Sequence, residues 1–203
     1  MTTLVLGTYN RKKCAELFEL LAPLGLRLAT LADFPHALAV DETGDTFAAN
    51  AALKACTQAR HLVQWVLGED SGLAVDALGG RPGVYSARFA GPQASDEDNN
   101  RALLAALADV PEPRRTAHYV CHLTLVDPTG AVRAETEACC NGRILPAPAG
   151  RAGFGYDPLF EVVEYHRTFG ELGEAVKAVL SHRARAVAQL LALLAAAIES
   201  DHP

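Results

Sequence analysis

Three short segments of this 203-residue chain are too polar and too constrained to read as ordinary connections. The first is Thr8-Tyr9-Asn10-Arg11-Lys12-Lys13, set between an apolar run and an amphipathic stretch. Backbone N–H groups and the positive end of a helix dipole meet at such a junction, and Lys13 adds a full charge, which suits a phosphate cradle. The same pattern also serves a plain helix cap followed by solvated basic residues. The second is Glu69-Asp70-Ser71-Gly72, two adjacent carboxylates bracketed by apolar residues. Buried carboxylates need hydrogen bonds, cations or a metal. Hard oxygen donors suit Mg²⁺, which takes one or two of them and shares the rest of its shell with water and phosphate. Asp41 and Glu42 supply a second acidic pair able to converge on the same ion. The plainer alternative is an exposed turn with a capping Asp. The third segment is Phe154-Gly155-Tyr156-Asp157-Pro158, followed later by Ser181-His182-Arg183. Flanking glycines give Phe154 and Tyr156 room to stack on a planar ring, and Asp157 can accept base or sugar hydrogen bonds, although aromatics are more often core.

The elements around these segments follow from periodicity. Residues 3–8 (TLVLGT) read as a buried strand, and Cys14, Leu17, Leu20 and Leu21 recur at helical spacing after Asn10. LRLATL (26–31) is a second strand, so the chain opens with a β-α-β unit, which suggests a mixed or parallel sheet. A long helical pattern runs from Thr46 to Trp65, with Thr43 or Thr46 as its cap, and Ser95 opens another helix with acidic residues in its first turn. AHYVCHLTLV and AVRAETEACC flank Asp127-Pro128-Thr129-Gly130 as a hairpin. A short helix near TFGELG and a long one from about Ser181 close the chain, with Val187 to Ile198 as a buried helical run.

The whole length fits one domain, residues 1–203, with substantial core. A net charge of −6 argues against a general nucleic-acid or anionic-membrane binder, which needs a basic face. An acidic protein binds an anion only by gathering cations locally, which makes single Lys and Arg positions informative. The N-terminal apolar run is too short for a signal peptide and precedes its charges. No stretch is long and apolar enough to span a bilayer. Five cysteines, none in a CxxC arrangement, fit reduced thiols in a cytoplasmic protein. Cys139 and Cys140 should face opposite sides of a sheet.

Taken together, the motifs resemble the inosine triphosphate pyrophosphatase family. The resemblance is carried by T-x-N-x-x-K-x-x-E from Thr8, the acidic-x-x-G-x-T-F-x-x-N-A run from Asp41 to Ala51, EDSGLAVDALGGRPGVYSARFAG (69–91), GFGYDP (153–158) and SHR (181–183). It implies an elongated α/β mixed-sheet fold of two lobes with the site in a central cleft, and a homodimer. It also implies Mg²⁺-dependent cleavage of non-standard purine nucleoside triphosphates, of the inosine and xanthosine type, to monophosphate and pyrophosphate. On the same grounds Asp70 is the catalytic carboxylate and, with Asp41, a metal ligand. The substrate-binding set would be Thr8, Tyr9, Asn10, Arg11, Lys12, Lys13, Lys54, Ser71, Phe154, Gly155, Tyr156, Asp157, Lys177, His182 and Arg183. Three departures stand out: Tyr9 where a small residue is common, Asp41 where Glu is usual, and EAVKAVLSHR before the SHR motif. Two alternatives remain open at this stage, a Maf-type pyrophosphatase of other specificity and a catalytically silent nucleotide-binding protein.

Overall fold

The computed structural model describes residues 3–199. The first apolar run forms strand β1 (Thr3–Leu6). Asn10 then keeps an extended backbone while its side-chain oxygen accepts from the amides of Lys12 and Lys13. That satisfies two of the N–H groups that a helix start leaves unpaired. Helix α1 (Arg11–Leu21) follows, burying Cys14, Leu17 and Leu21. Strand β2 (Arg27–Thr30) runs parallel to β1, with Val5 opposite Ala29, completing the expected β-α-β unit.

Helix α2 (Phe47–Leu62) is capped by Thr46, whose hydroxyl accepts from the Ala49 amide. It ends at Val63, which adopts a left-handed conformation with φ 53°. The helical pattern in the sequence continued to Trp65, but Trp65 is the first residue of strand β3 (Trp65–Val75). The exposed-turn alternative for Glu69-Asp70-Ser71-Gly72 is also set aside. All four lie inside β3, with only Ser71 partly exposed. Helix α3 (Asp96–Ala106) starts at a reciprocal capping box between Ser95 and Asp98. Strands β4 (Thr116–Val126) and β5 (Val132–Ile144) form the expected hairpin. Its turn is held by the Asp127 carboxylate, which accepts from the Thr129 and Ala131 amides. Strands β6 (Phe160–Val162) and β7 (Arg167–Thr168) precede helices α4 (Phe169–Leu172), α5 (Glu174–Leu180) and α6 (His182–Glu199).

The seven strands take the order β2-β1-β3-β4-β5-β6-β7. β1 pairs in parallel with β2 and β3, and β6 pairs antiparallel with β5 and β7, so the sheet is mixed. The chain gathers into two compact units, and β3, β4 and β5 contribute a segment to each. The first unit takes the chain up to Asp70, Cys121–Ala138 and the chain from Arg183 onward. Here Leu4 and Leu6 join one core cluster, with Leu17, Leu67, Leu123 and Leu190, while Val5 joins another, with Leu31, Ala55 and Val66. This alternation is the period of two of a strand buried on both faces. The second unit takes Ser71–Val120 and Cys139–His182, around Leu73, Leu103, Tyr119, Ile144, Phe160 and Phe169.

Helix α6 is one-sided rather than wholly buried. Ala186, Val187, Leu190 and Leu194 face the first core, whereas Ala188, Gln189 and Leu193 are exposed. Residues 195–198 of the expected buried run have no described side-chain placement. Among the described residues, no helix is long and apolar enough to cross a membrane. All five cysteines are free thiols, with Cys139 exposed and Cys140 buried as strand alternation requires.

Candidate active site

In an open α/β sheet, ligands bind beyond the carboxyl ends of strands where successive connections diverge to opposite sides. β1 is such a strand, with β2 on one side and β3 on the other. The Thr8–Lys13 segment leaves the carboxyl end of β1. Leu67, two residues before Glu69, pairs with Leu6, and its carbonyl accepts from the Gly7 amide at 2.8 Å. Two of the three segments singled out above therefore meet at one edge of the first unit.

Helix α2 supplies the partners of the acidic strand. Asn50, Lys54 and Gln58, spaced by four, form a buried polar stripe beside the buried Ala51, Ala55 and Ala59. The alanines let β3 approach closely at Gly68, where an added Cβ would lie 2.2 Å from the Ala51 carbonyl oxygen and 2.8 Å from Ala55 Cβ. Two residues on, Asp70 is only 4% exposed. Its Oδ1 lies 3.2 Å from Lys54 Nζ, and its Oδ2 accepts from Asn50 Nδ2 at 3.2 Å. Lys54 also donates to Glu42 at 2.6 Å, and Asn50 Oδ1 accepts from the Gly44 amide, tying the 42–44 loop to the same place. Burial pushes the Asp70 carboxyl above its ordinary range; Lys54 and Lys13 oppose that, while Glu42 and Glu69 reinforce it. Burial acts to lower the Lys54 ammonium, but Asp70, Glu69 and Glu42 outweigh it and raise the group.

Glu69, wholly buried, faces a second set of cations. Lys13 Nζ stands 3.0 Å from its Oε2, and Arg183 donates to its Oε1 at 2.9 Å. Arg183 is 1% exposed and also pairs with Glu16 on α1. A carboxylate removed from water survives only with such charge partners and hydrogen bonds. On the preceding loop, the Thr8 hydroxyl accepts from the Asn10 amide at 3.2 Å, and Cys14 Sγ donates to the Thr8 carbonyl at 3.4 Å. Tyr9 is 56% exposed, with its hydroxyl 3.4 Å from the Leu38 carbonyl, and Arg11 and Lys12 are exposed.

The donor chemistry of this edge fits Mg²⁺. Glu16, Glu42, Glu69 and Asp70 set four carboxylates against Lys13, Lys54 and Arg183. Glu42 and Glu69 add to the burial that raises Asp70, and an added cation would offset their charge. Among the described residues no three His, Cys, Asp or Glu side chains form a metal-binding group. A hard cation that takes one or two carboxylates and otherwise water and phosphate suits that sparse set. Glu42, rather than Asp41, is the acidic residue drawn to Lys54 and felt by Asp70. The Asp41 carboxylate is exposed and makes no ion pair among the described residues.

The third segment builds a different environment in the second unit. Phe154 is half-buried, with Lys177 Nζ 4.2 Å from its ring centroid. Lys177, itself buried, donates to Asp157 Oδ2 at 2.6 Å, and the same oxygen accepts from the Phe154 amide at 2.8 Å. His182 lies flat on Tyr119, with ring centroids 4.7 Å apart and planes 9° from parallel. Gly155, with φ 61°, is fixed at both ends of its peptide: its N–H donates to Asp96 and its carbonyl accepts from Asn100.

A model of the Ham1 family matches residues 4–193, a span that includes every site residue from Thr8 to Arg183. The chain belongs to the Ham1 family. It is 53% identical over 201 residues to a dITP/XTP pyrophosphatase of Rhodopirellula baltica, a match covering 99% of this chain and 97% of the relative. It is 50% identical over 190 residues to a dITP/XTP pyrophosphatase of an Exiguobacterium species, covering 92% and 94%. Among solved structures it is similar to a HAM1 protein from Coxiella burnetii, with TM-score 0.88, 36% identity, and coverage of 96% of this chain and 99% of that one.

The site residues named from the sequence of this Ham1-family chain divide between the two units, with Tyr9, Arg11, Lys12 and Asp41 exposed. Thr8, Asn10, Lys13, Lys54 and Asp70 come together at the edge of β1 and β3. Phe154, Gly155, Asp157, Lys177 and His182 belong to the second unit, as does half-buried Ser71. Two placements differ from the expectation. Tyr156 is core, with its hydroxyl donating to the Ser86 carbonyl at 2.8 Å, so it offers no stacking face. Arg183 is next to His182 in sequence but is engaged with Glu69 and Glu16 in the first unit. Asn50 and Glu16 stood in the sequence motifs without a role assigned to them, and Tyr119 was not picked out from the sequence. The spacing of Asn50, Lys54 and Gln58 on one helix face was a usable signal, whereas nothing in AHYVCHLTLV marks Tyr119.

Proposed function

We propose that this chain is a Mg²⁺-dependent pyrophosphatase acting on non-standard purine nucleoside triphosphates of the inosine and xanthosine type, ribo or deoxy. It releases the monophosphate and pyrophosphate. The observation that carries the reading is Asp70, a buried carboxylate raised above its ordinary range and held by Lys54 and Asn50. The printed activity of the relatives supports the substrate class. A general base works best when its pKa is drawn up toward the operating pH and its proton partner is close.

In this reading Asp70 takes the proton from the water that attacks the α-phosphorus, and the bond from that phosphorus to the bridging oxygen breaks as pyrophosphate leaves. Lys13, Lys54 and the amides after β1, with Thr8 and Asn10 shaping the loop, offset the charge of the triphosphate. Tyr9, Arg11 and Lys12 add an exposed ring and two exposed cations at the same loop. Asp70 with Glu42 or Asp41 would hold Mg²⁺, which when bound supplies phosphate neutralisation and a more acidic water. Ser71 contacts substrate. Phe154 stacks on the base, and Lys177 and His182 offer donors to a 6-keto oxygen. Adenine presents an amino group there and leaves those donors unpaired, an effective ground for rejection.

The deciding experiment measures pyrophosphate release from ITP, XTP, their deoxy forms and the four common nucleotides, with Mg²⁺ and with chelator. Fast release from the inosine and xanthosine substrates alone, abolished by chelator, is expected. Similar rates across all of them would make this a general pyrophosphatase instead. We extend the proposal to residues 1–203 working as one domain, in a homodimer, in the cytoplasm. The family match across residues 4–193 supports the first of these. Sedimentation at micromolar concentration tests the dimer, and a monomer would remove it.

A further inference from the structure

Tyr119 belongs to none of the sequence motifs, yet it touches His182 and Asp157, the carboxylate that holds Lys177. It lies on β4 within the second unit, buried among Phe160, at 4.6 Å between ring centroids, and Phe169, at 6.4 Å. Its own ring is the flat surface on which His182 rests. Its hydroxyl donates to Asp157 Oδ1 at 3.4 Å, while the other oxygen of that carboxylate holds Lys177. Asp157 is 1% exposed, so its carboxylate is taken up by Tyr119, Lys177 and the Phe154 amide. The phenol is raised well above its ordinary range by burial and by the Asp157 charge, and so stays a donor.

We infer that Tyr119 is a positioning residue for base recognition: one side chain sets the plane of His182 and, through Asp157, the place of Lys177. The inference rests on the proposed base-binding role of those two residues. A planar ring at near-parallel offset fixes an imidazole's plane but leaves its in-plane edges available for hydrogen bonding. A carboxylate pinned at both oxygens cannot rotate, so the ammonium it holds keeps its place over Phe154. Two donors fixed relative to one another read a pattern of acceptors, whereas two independent donors adapt to several. The expected consequence is selectivity between purines rather than catalytic rate.

The test uses Tyr119→Phe, which keeps the stack and removes the hydroxyl, and Tyr119→Leu, which removes both. Each is assayed with ITP, with ATP, and with inorganic tripolyphosphate as a competitive inhibitor that has no base. Loss of one buried hydrogen bond corresponds to roughly a 3- to 10-fold change. For Tyr119→Phe we expect KM for ITP to rise by that factor and the ITP-to-ATP preference in kcat/KM to narrow, with tripolyphosphate inhibition unchanged. Tyr119→Leu should narrow the preference further. Unchanged ITP KM and preference in Tyr119→Phe would overturn the inference, and so would an equal loss of ITP and tripolyphosphate affinity, the mark of general damage. Should wild type fail to cleave ITP or XTP at all, the functional reading fails first, and the two failures are told apart by that control.

Discussion

The first unit handles charge by exchange and the second by restraint. Around Asp70 and Glu69, carboxylates and cations of the first unit form two chains, Glu42–Lys54–Asp70 and Lys13–Glu69–Arg183–Glu16. Around Phe154 the second unit has one buried ion pair, Lys177 with Asp157, set among aromatic rings. A site meant for a polyanion gains from lysines already charged and held by carboxylates that a metal and phosphates can relieve. A site meant for a flat heterocycle gains from surfaces and a few donors in fixed directions. On the proposed function, rate belongs to the first unit and selectivity to the second.

The sharpest way to break it is Asp70→Asn. Turnover should fall by about 10²- to 10⁴-fold, the range a positioned general base supplies, in a pyrophosphate-release assay. Near-normal turnover would remove Asp70 from the chemistry. The same variant carries a stability signature. The Asp70 carboxyl is raised in the fold, chiefly by burial, so folding disfavours its charged form relative to the unfolded chain. Its stabilising contribution is complete below the unfolded value of about 3.9 and is lost as pH rises through the folded value. Asn stays neutral throughout, so melting curves should coincide in acid and separate at higher pH, with the variant more stable.

Next in size is Arg183→Met, which leaves Glu69 and Glu16 without their guanidinium. Removing one partner of a buried ion pair costs about 3–5 kcal/mol, read as a lowered urea midpoint. A change below about 1 kcal/mol would place Arg183 with surface pairs and undo its structural assignment. Smaller again is the contrast between Glu42→Gln and Asp41→Asn. The first should raise the Mg²⁺ concentration needed for half-maximal activity, and the second should barely move it; the opposite order would return the metal to Asp41. The smallest effect is expected for Phe154→Ala, where a lost aromatic contact of about 0.5–1.5 kcal/mol should raise KM for ITP severalfold and leave kcat nearly unchanged. An effect on kcat as large as that of Asp70→Asn would erase the division between the two units.

What the sequence made legible was the local grammar. Asn10, Thr46 and Ser95 each cap the helix expected after them, because a short polar side chain competes for the first free amides whatever lies beyond. The motif segments likewise marked Asp70 and Lys13, the family resemblance added Lys177, and each stands in an ion pair. What stayed hidden depends on partners far along the chain. Glu69-Asp70 has the composition of a turn, and it is a strand only because Asn50, Lys54, Lys13 and Arg183 satisfy its carboxylates. Tyr156 looked free to stack because flanking glycines say nothing about where a ring points, and the Ser86 carbonyl draws it inward. Asp41 and Glu42 are neighbours of equal charge, and only the position of Lys54 separates them.

The seating of Gly68 against Ala51 has a consequence for how the site can change. Main chain rests almost directly on main chain there, with no side chain between whose rotamer could lengthen or shorten the gap. The span from Lys54 to Asp70 is thereby set like the throat of a gauge, by two backbones rather than by packing that drifts. Substitutions around it can alter how much charge the gap contains far more readily than they can alter its width. A Cβ at Gly68 would have to lift the helix from the strand, so the site is free to vary in strength while its backbone frame is nearly fixed in width.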